Sequence, residues 1–138
     1  KYASAEGVAR GGYIMAEAEG GKPKLILMAT GSEVYLCIEA YEKLKAEGIR
    51  ARVVSLPSWD IFDRQDQSYR EKVLPPDVTA RLAVEQAAVL GWSQYVGPKG
   101  FVIGMHRFGA SAPLKDLQKK FGFTVDAIMQ KAHELAGK

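Results

Sequence analysis

The strongest constraint on the fold is an uninterrupted apolar run, Leu25–Ala29, that is followed at once by a helical pattern. Apolar runs of this length without alternation are typical of strands covered on both faces, as in parallel sheets. After the run the period changes at residues 30–33, where Thr30 and Glu33 have the spacing of a capping box and Ser32 is an alternative N-cap. The segment predicts a strand that leads directly into a helix.

The predicted helix is followed by a second strand, which completes a strand–helix–strand unit. Gly48 stands where a C′ glycine would end the helix, and residues 51–56 form an apolar run that stops at Pro57. Such a unit is expected to have a right-handed crossover. The helix has apolar residues at helical spacing: Val34, Cys37, Ile38, Tyr41 and Leu44.

The rest of the chain continues this alternation. Further parallel strands are predicted at Arg81–Glu85 and 101–105, and a short strand at Tyr13–Ala16. Strands that alternate with helices predict an α/β fold with three layers, α/β/α. Residues 1–11 are small and polar and are expected to be the end of a linker from a preceding domain, with one domain at 12–138.

Helices are predicted in four further places. Residues 58–80 form a polar stretch anchored by Trp59, Ile61 and Phe62, in which Asp66 caps a short helix through residue 73. Two more helices are expected at 111–122 and after Thr124. Trp92 and Tyr95 lie three residues apart on a short helix and are expected to pack in the core. The last helix has an apolar face made of Val125, Ile128, Met129, Ala132 and Leu135.

Composition narrows the class of protein. The chain has 138 residues, of which 47% are apolar and 25% charged, and its formal charge is +3. Basic and acidic residues are interspersed along the chain, which argues against nucleic-acid binding.

The longest apolar run is far shorter than the ~20 residues of a membrane span, and no signal peptide is visible. One cysteine suits a reducing compartment, so a cytoplasmic location is expected, with an organelle interior as the alternative. The start at Lys1 without methionine suggests a piece of a longer chain.

Few residues offer catalytic chemistry. His106 and His133 are the only histidines, and with Cys37 they make no spaced ligand set for zinc. Cys37 lies on the apolar face of its helix and is expected to pack in the core. His133 is expected on the polar side of a late helical turn, where a cation suits the helix dipole. Nucleophile-elbow and phosphate-loop motifs are absent from the sequence.

Two segments remain as candidate sites. Thr30, Gly31 and Ser32 follow a strand and begin a helix, a place that favours an anion. A tight turn with an internal cap explains the same residues, and Glu33 would compete with a phosphate. The second candidate is the loop at 105–113, which includes His106, Arg107 and Phe108.

This loop follows a strand and combines a titratable imidazole (His106), a planar guanidinium (Arg107) and an aromatic ring (Phe108). Such a combination is typical of a functional loop. Its apolar residues favour docking against another domain or subunit over local catalysis.

Several motifs, in order, resemble transketolase. They are ARGGY at 9–13, LMATGSEV at 27–34, RVVSLPSWDIFDRQD at 52–66, YREKVLP at 69–75, GW at 91–92, YVG at 95–97 and FGASAP at 108–113. The resemblance runs from about Val8 to the end of the chain. It identifies the chain as similar to the C-terminal domain of that family.

The resemblance implies a fold for this chain and a separation between it and the domains that hold the catalytic residues. Transketolases transfer a two-carbon ketol unit between sugar phosphates with thiamine diphosphate and Mg²⁺ or Ca²⁺, and act as homodimers. Their C-terminal domain has a five-stranded mixed sheet whose first strand, matched here by residues 13–18, is antiparallel. The family's catalytic and cofactor residues lie on the other two domains, so none is carried over to this chain. The domain alone is expected to be inactive and to bind no cofactor, with a role in assembly or regulation.

The residues themselves raise two other classes of protein. An independent flavodoxin-like domain that binds a nucleotide or another small ligand is the first alternative. A receiver-like signalling module needs carboxylates after the first parallel strand, where this chain has Met28, Ala29 and Thr30. The receiver hypothesis is therefore disfavoured.

Overall fold

A computed structural model describes residues 5–31, 33–85, 91–104 and 125–137, and its strands form one mixed sheet. The order across the sheet is β1-β3-β2-β4-β5, with β1 antiparallel to β3 and all other neighbours parallel. This confirms the five-stranded, mostly parallel sheet and its antiparallel first strand. The strands are β1 (Tyr13–Ala16), β2 (Leu25–Ala29), β3 (Ala51–Ser55), β4 (Arg81–Glu85) and β5 (Phe101–Gly104).

Helices cover both faces of the sheet, so the predicted three layers are present. α1 and α5 pack against one apolar cluster, and α2, α3 and α4 against the other. None of the helices in the described ranges is long and apolar enough to cross a membrane. The helices are α1 (Glu33–Ala46), α2 (Trp59–Asp63), α3 (Gln67–Val73), α4 (Ser93–Val96) and α5 (Val125–Leu135).

The apolar run of β2 is explained by its central position. Leu25, Leu27 and Ala29 belong to the cluster under α1, whereas Ile26 and Met28 belong to the cluster on the opposite face. Successive side chains of a strand point to opposite faces. Since helices cover both faces, every residue of β2 is fully buried, and alternation with polar residues is not possible.

The structure gives the bounds of three further strands. β1 ends at Ala16, as its residues predict, rather than at residue 18 as the resemblance implies, and β5 is described as far as Gly104, with Met105 outside the described residues. β3 ends at Ser55, although the Leu56 N–H still donates to the Ala29 carbonyl at 2.9 Å. Pro57 has no N–H to continue the ladder.

The polar stretch at 58–80 contains a helix, α2, that the sequence did not predict. The Ile61 N–H donates to Ser58 Oγ at 3.4 Å, which caps the helix. Phe62 is buried as predicted, but Ile61 is 37% exposed and is not an anchor. Five residues are too few to show helical periodicity. α3 begins after Asp66 as predicted, yet the Asp66 side chain makes no capping hydrogen bond.

Other local predictions are confirmed. Gly48 has φ +80° after α1, a conformation that glycine adopts without strain. In α5 the residues Ile128, Met129 and Ala132 are buried. Thr124 and the helix predicted at 111–122 lie outside the described residues.

A 3₁₀ helix, Ala5–Arg10, precedes β1 and contacts it. The Arg10 guanidinium lies 4.6 Å from the centre of the Tyr69 ring. The linker boundary at residue 11 stays a prediction.

Candidate functional site

The carboxyl ends of β2 and β4 mark the switch point of the parallel sheet. The chain leaves β2 towards β3 on one side, whereas it leaves β4 towards β5 on the other. Ligands of open α/β sheets gather at such a point. Thr30 and Gly31 follow β2, and the residues that follow β4, 86–90, lie outside the described part of the chain. The predicted anion site is therefore adjacent to the switch point.

The turn between β2 and α1 depends on Gly31. Its φ of +63° is one that side chains with a Cβ rarely adopt, and its carbonyl accepts the Val34 N–H at 3.2 Å. Glu33, the first residue of α1, is buried and places a carboxylate at the helix N-terminus, which opposes a bound anion. Ser32 is not described, so the anion site at Thr30, Gly31 and Ser32 stays a prediction.

Beside this turn lies a cavity of about 450 Å³ between the first two turns of α1 and the edge strand β1. We call it the α1–β1 groove. Most of its wall is apolar, and Ser55 at the end of β3 supplies a hydroxyl group. The lining residues are Tyr13, Met15, Gly31, Val34, Tyr35, Ile38 and Ser55.

The groove has two features that packing within the domain does not explain. Tyr35 is 79% exposed, and Ser55 is only 6% exposed. The Ser55 hydroxyl makes no hydrogen bond with any residue that the structure describes. A buried hydroxyl without a partner costs about 1–3 kcal/mol. The groove therefore suits a partner that offers both apolar contact and a hydrogen-bonding group.

At the end of β4 a carboxylate is held by packing residues. The Trp92 indole N–H donates to Glu85 Oε1 at 2.9 Å, and both side chains are buried. The ring centres of Trp59 and Trp92 are 5.0 Å apart in an edge-on arrangement, a favoured geometry for aromatic pairs. The predicted packing of Trp92 and Tyr95 in the core is confirmed, since Trp92 is fully buried and Tyr95 is 5% exposed.

Two other titratable groups in this region, Tyr95 and Cys37, also have structural roles. Tyr95 donates to Asp63 Oδ1 at 2.9 Å, and burial, with this hydrogen bond, raises the pKa of Tyr95. Burial, with a smaller effect of the Glu33 charge, raises the pKa of Cys37 to about 12. A protonated, fully buried thiol is a poor nucleophile. The predicted packing role of Cys37 is confirmed.

Of the remaining predicted residues, only His133 is described, and it does not join this site. His133 Nε2 lies 2.6 Å from Glu47 Oε1, so it links α5 to the chain just after α1. His106, Arg107 and Phe108 lie outside the described residues, and their docking role stays a prediction. In the described ranges no three His, Cys, Asp or Glu side chains are placed to hold a metal ion.

Sequence reasoning missed the α1–β1 groove. Its walls come from a strand and a helix that adjoin only once the strand order is known. One signal was available: Tyr35 is an aromatic residue outside the apolar stripe of α1, a position where polar residues are the norm.

These features define a three-layer α/β domain in which the described residues at the switch point are largely packing residues, with an open apolar groove beside them. The family model for the transketolase-like TK C-terminal domain matches residues 11–124. Transketolase 1 of Escherichia coli is 56% identical over 128 residues, which cover 93% of this chain and 19% of that protein. The transketolase of Geobacillus stearothermophilus is 50% identical over 133 residues, 96% of this chain and 20% of that protein.

Solved structures agree with the sequence comparisons. Transketolase from Leishmania mexicana aligns with a TM-score of 0.88 at 39% identity, over 99% of this chain and 19% of that one. The chain belongs to the transketolase C-terminal domain family, and it spans about a fifth of the length of the curated relatives it matches.

Proposed function

We propose that the chain serves as the C-terminal domain of a transketolase, which transfers a two-carbon ketol unit from a ketose phosphate to an aldose phosphate. The observation that carries this proposal is the identity of 50–56% to two transketolases across more than nine-tenths of the chain. Because the chain spans about a fifth of those proteins, the activity is assigned to the full-length enzyme. Thiamine diphosphate with Mg²⁺ or Ca²⁺ would supply carbanion stabilisation there.

Within that enzyme the domain is proposed to support assembly rather than catalysis. Its partners would be the other domains of the same chain and the second subunit of a homodimer. The described residues fit a diphosphate–metal site poorly, since Glu85 at the switch point is bound by the Trp92 indole and Glu33 is buried at the start of α1. From the sequence, His106, Arg107 and Phe108 are proposed to face these partners.

Calorimetric titration of the 138-residue chain tests its separate role. Thiamine diphosphate with Mg²⁺ should give no binding heat, because the described ranges hold no group of His, Cys, Asp or Glu side chains that could bind the metal, and the family resemblance implies that the cofactor residues lie on the other two domains. The full-length E. coli transketolase is the positive control. Micromolar binding of the cofactor to the chain alone would contradict the proposal that this domain supports assembly and does not bind the cofactor.

The α1–β1 groove favours one second candidate, an independent domain that binds a nucleotide or another small ligand. Its volume of about 450 Å³ lies within the range of small-molecule pockets. The same calorimetric experiment therefore includes nucleotides and sugar phosphates. We expect none of them to bind, and saturable binding of one that Ile38→Trp abolishes would favour this second function.

A further inference from the structure

We propose that the α1–β1 groove is the surface on which the preceding part of a full-length transketolase packs, with an apolar side chain of that part against Tyr35 and a polar group bonded to Ser55. This rests on the proposed function, since it requires that the chain is joined to the rest of such an enzyme. It names the docking surface, which the proposed function alone does not.

The first support is the apolar surface around the groove. Tyr35 is the most exposed of the large apolar side chains that the structure describes, at 79%. Val34, Ile38 and Met15 beside it are only partly buried. Single exposed apolar residues are ordinary, but a contiguous patch around a cavity marks an interaction surface. Tyrosine is also among the residues that contribute most to interfaces.

The second support is the hydroxyl of Ser55 at the inner end of the groove. Residues 51 and 53 of β3 pack in the cluster under α1, and alternation along the strand places Ser55 on the same face. Ser55 as a residue is only 6% exposed, and its hydroxyl makes no hydrogen bond within the described part of the chain. A backbone N–H or C=O from an adjoining domain would satisfy it while an apolar side chain fills the cavity.

The third support is the path of the chain. The 3₁₀ helix Ala5–Arg10 leads into β1, and a Cβ at Gly7 would lie 2.3 Å from the Tyr13 ring that lines the groove. The 3₁₀ helix thus adjoins one wall of the groove at Tyr13, and it also contacts α2 on the opposite face of the sheet. About four-fifths of each curated relative lies outside the matched region, and a tethered domain is present at high effective concentration. This favours the preceding part of the same chain over a second copy of this domain.

Hydroxyl-radical labelling read by mass spectrometry tests the proposal. The side chains of Tyr35 and Met15 are compared in the 138-residue chain and in the full-length transketolase that contains it. Labelling of Tyr35 should fall by about tenfold in the full-length enzyme, because labelling follows exposed area and central interface aromatics are desolvated. Equal labelling of Tyr35 in both proteins overturns the proposal, while ketol transfer by the same sample leaves the proposed function intact.

Substitutions separate the groove from a general effect of the added domains. In the full-length enzyme Tyr35→Glu should raise Met15 labelling to the level of the free chain, because a charge would have to be buried at the contact. Ile61→Glu is the matched control, since Ile61 is an exposed apolar residue on α2, across the sheet, and it should leave Met15 labelling unchanged. Tyr35→Ala provides a milder variant with the same expected direction.

The remaining outcomes are also decisive. If Tyr35 of the free chain becomes protected as its concentration rises, with a dimer in solution, a second copy occupies the groove and the proposal is wrong. A full-length protein without ketol-transfer activity overturns the proposed function and this inference together.

Discussion

Replacement of Trp92 by alanine should lower the free energy of unfolding by about 3–5 kcal/mol, out of about 5–15 kcal/mol for a typical domain. Trp92 is fully buried and packs edge-on against Trp59 and Tyr95, with ring centres 5.0 and 6.2 Å away. Truncation would leave a large cavity and remove the indole donor to Glu85. Urea unfolding followed by circular dichroism measures the change.

Trp92→Phe is the matched control for the hydrogen bond. The phenyl ring keeps most of the apolar contact but donates nothing to Glu85, so the loss should be smaller, about 1–3 kcal/mol. An unchanged unfolding midpoint for Trp92→Ala would show that the aromatic cluster does not stabilise the domain.

Replacement of Arg52 by methionine should lower the free energy of unfolding by about 3 kcal/mol, because two backbone carbonyls lose a charged donor and a buried acceptor without its donor costs about 1–3 kcal/mol. Arg52 is 7% exposed and donates from Nε and Nη2 to both oxygens of Glu17, at 2.8 and 2.9 Å. Its Nη1 donates to the carbonyls of Lys72 and Val73 at the end of α3. The side chain thus joins β3, the residue after β1 and a helix C-terminus.

The two partners of this ion pair should differ in their contribution. Glu17 has a side chain that is 52% exposed, so Glu17→Gln should cost no more than about 1 kcal/mol. Most of the effect at Arg52 is assigned to the two carbonyls, which methionine cannot satisfy. Equal losses for Arg52→Met and Glu17→Gln, measured by the same urea unfolding, would assign the effect to the ion pair itself.

The parts of the fold that the sequence predicted are those determined by local patterns. β2 and β4 have the predicted bounds, because a strand covered on both faces is an apolar run with sharp ends. α1 is detected by its periodicity and by Gly48. The helix α2 was missed because five residues hold too little periodic information, and because Ile61 faces solvent rather than the core.

The orientation of β1 could not be derived from the residues. Its pairing with β3 joins Tyr13 to Ser55 across about forty intervening residues, and its register shifts between Ile14 and Ala16. A strand of four residues with such an irregularity has too short a sequence pattern to show whether it runs parallel or antiparallel to its neighbour. The family resemblance provided the antiparallel orientation, and the structure confirms it.

The groove was unpredictable for the same reason. Tyr13, Ser55 and Tyr35 are far apart in sequence and become neighbours only through the order β1-β3-β2. In contrast, the roles of Cys37 and Trp92 followed from their places on helix faces. Long-range strand order, rather than residue type, is the information that a single sequence lacks.

Exchange of C-terminal domains between two enzymes tests whether the chain serves as the C-terminal domain of a transketolase. In full-length E. coli transketolase 1, the C-terminal segment matched by this chain is replaced by the chain itself, and ketol transfer from a ketose phosphate to an aldose phosphate is measured. We expect the chimeric enzyme to be active and the 138-residue chain alone to be inactive. A folded, dimeric chimera without activity, or ketol transfer by the chain alone, would contradict the proposed role of the chain.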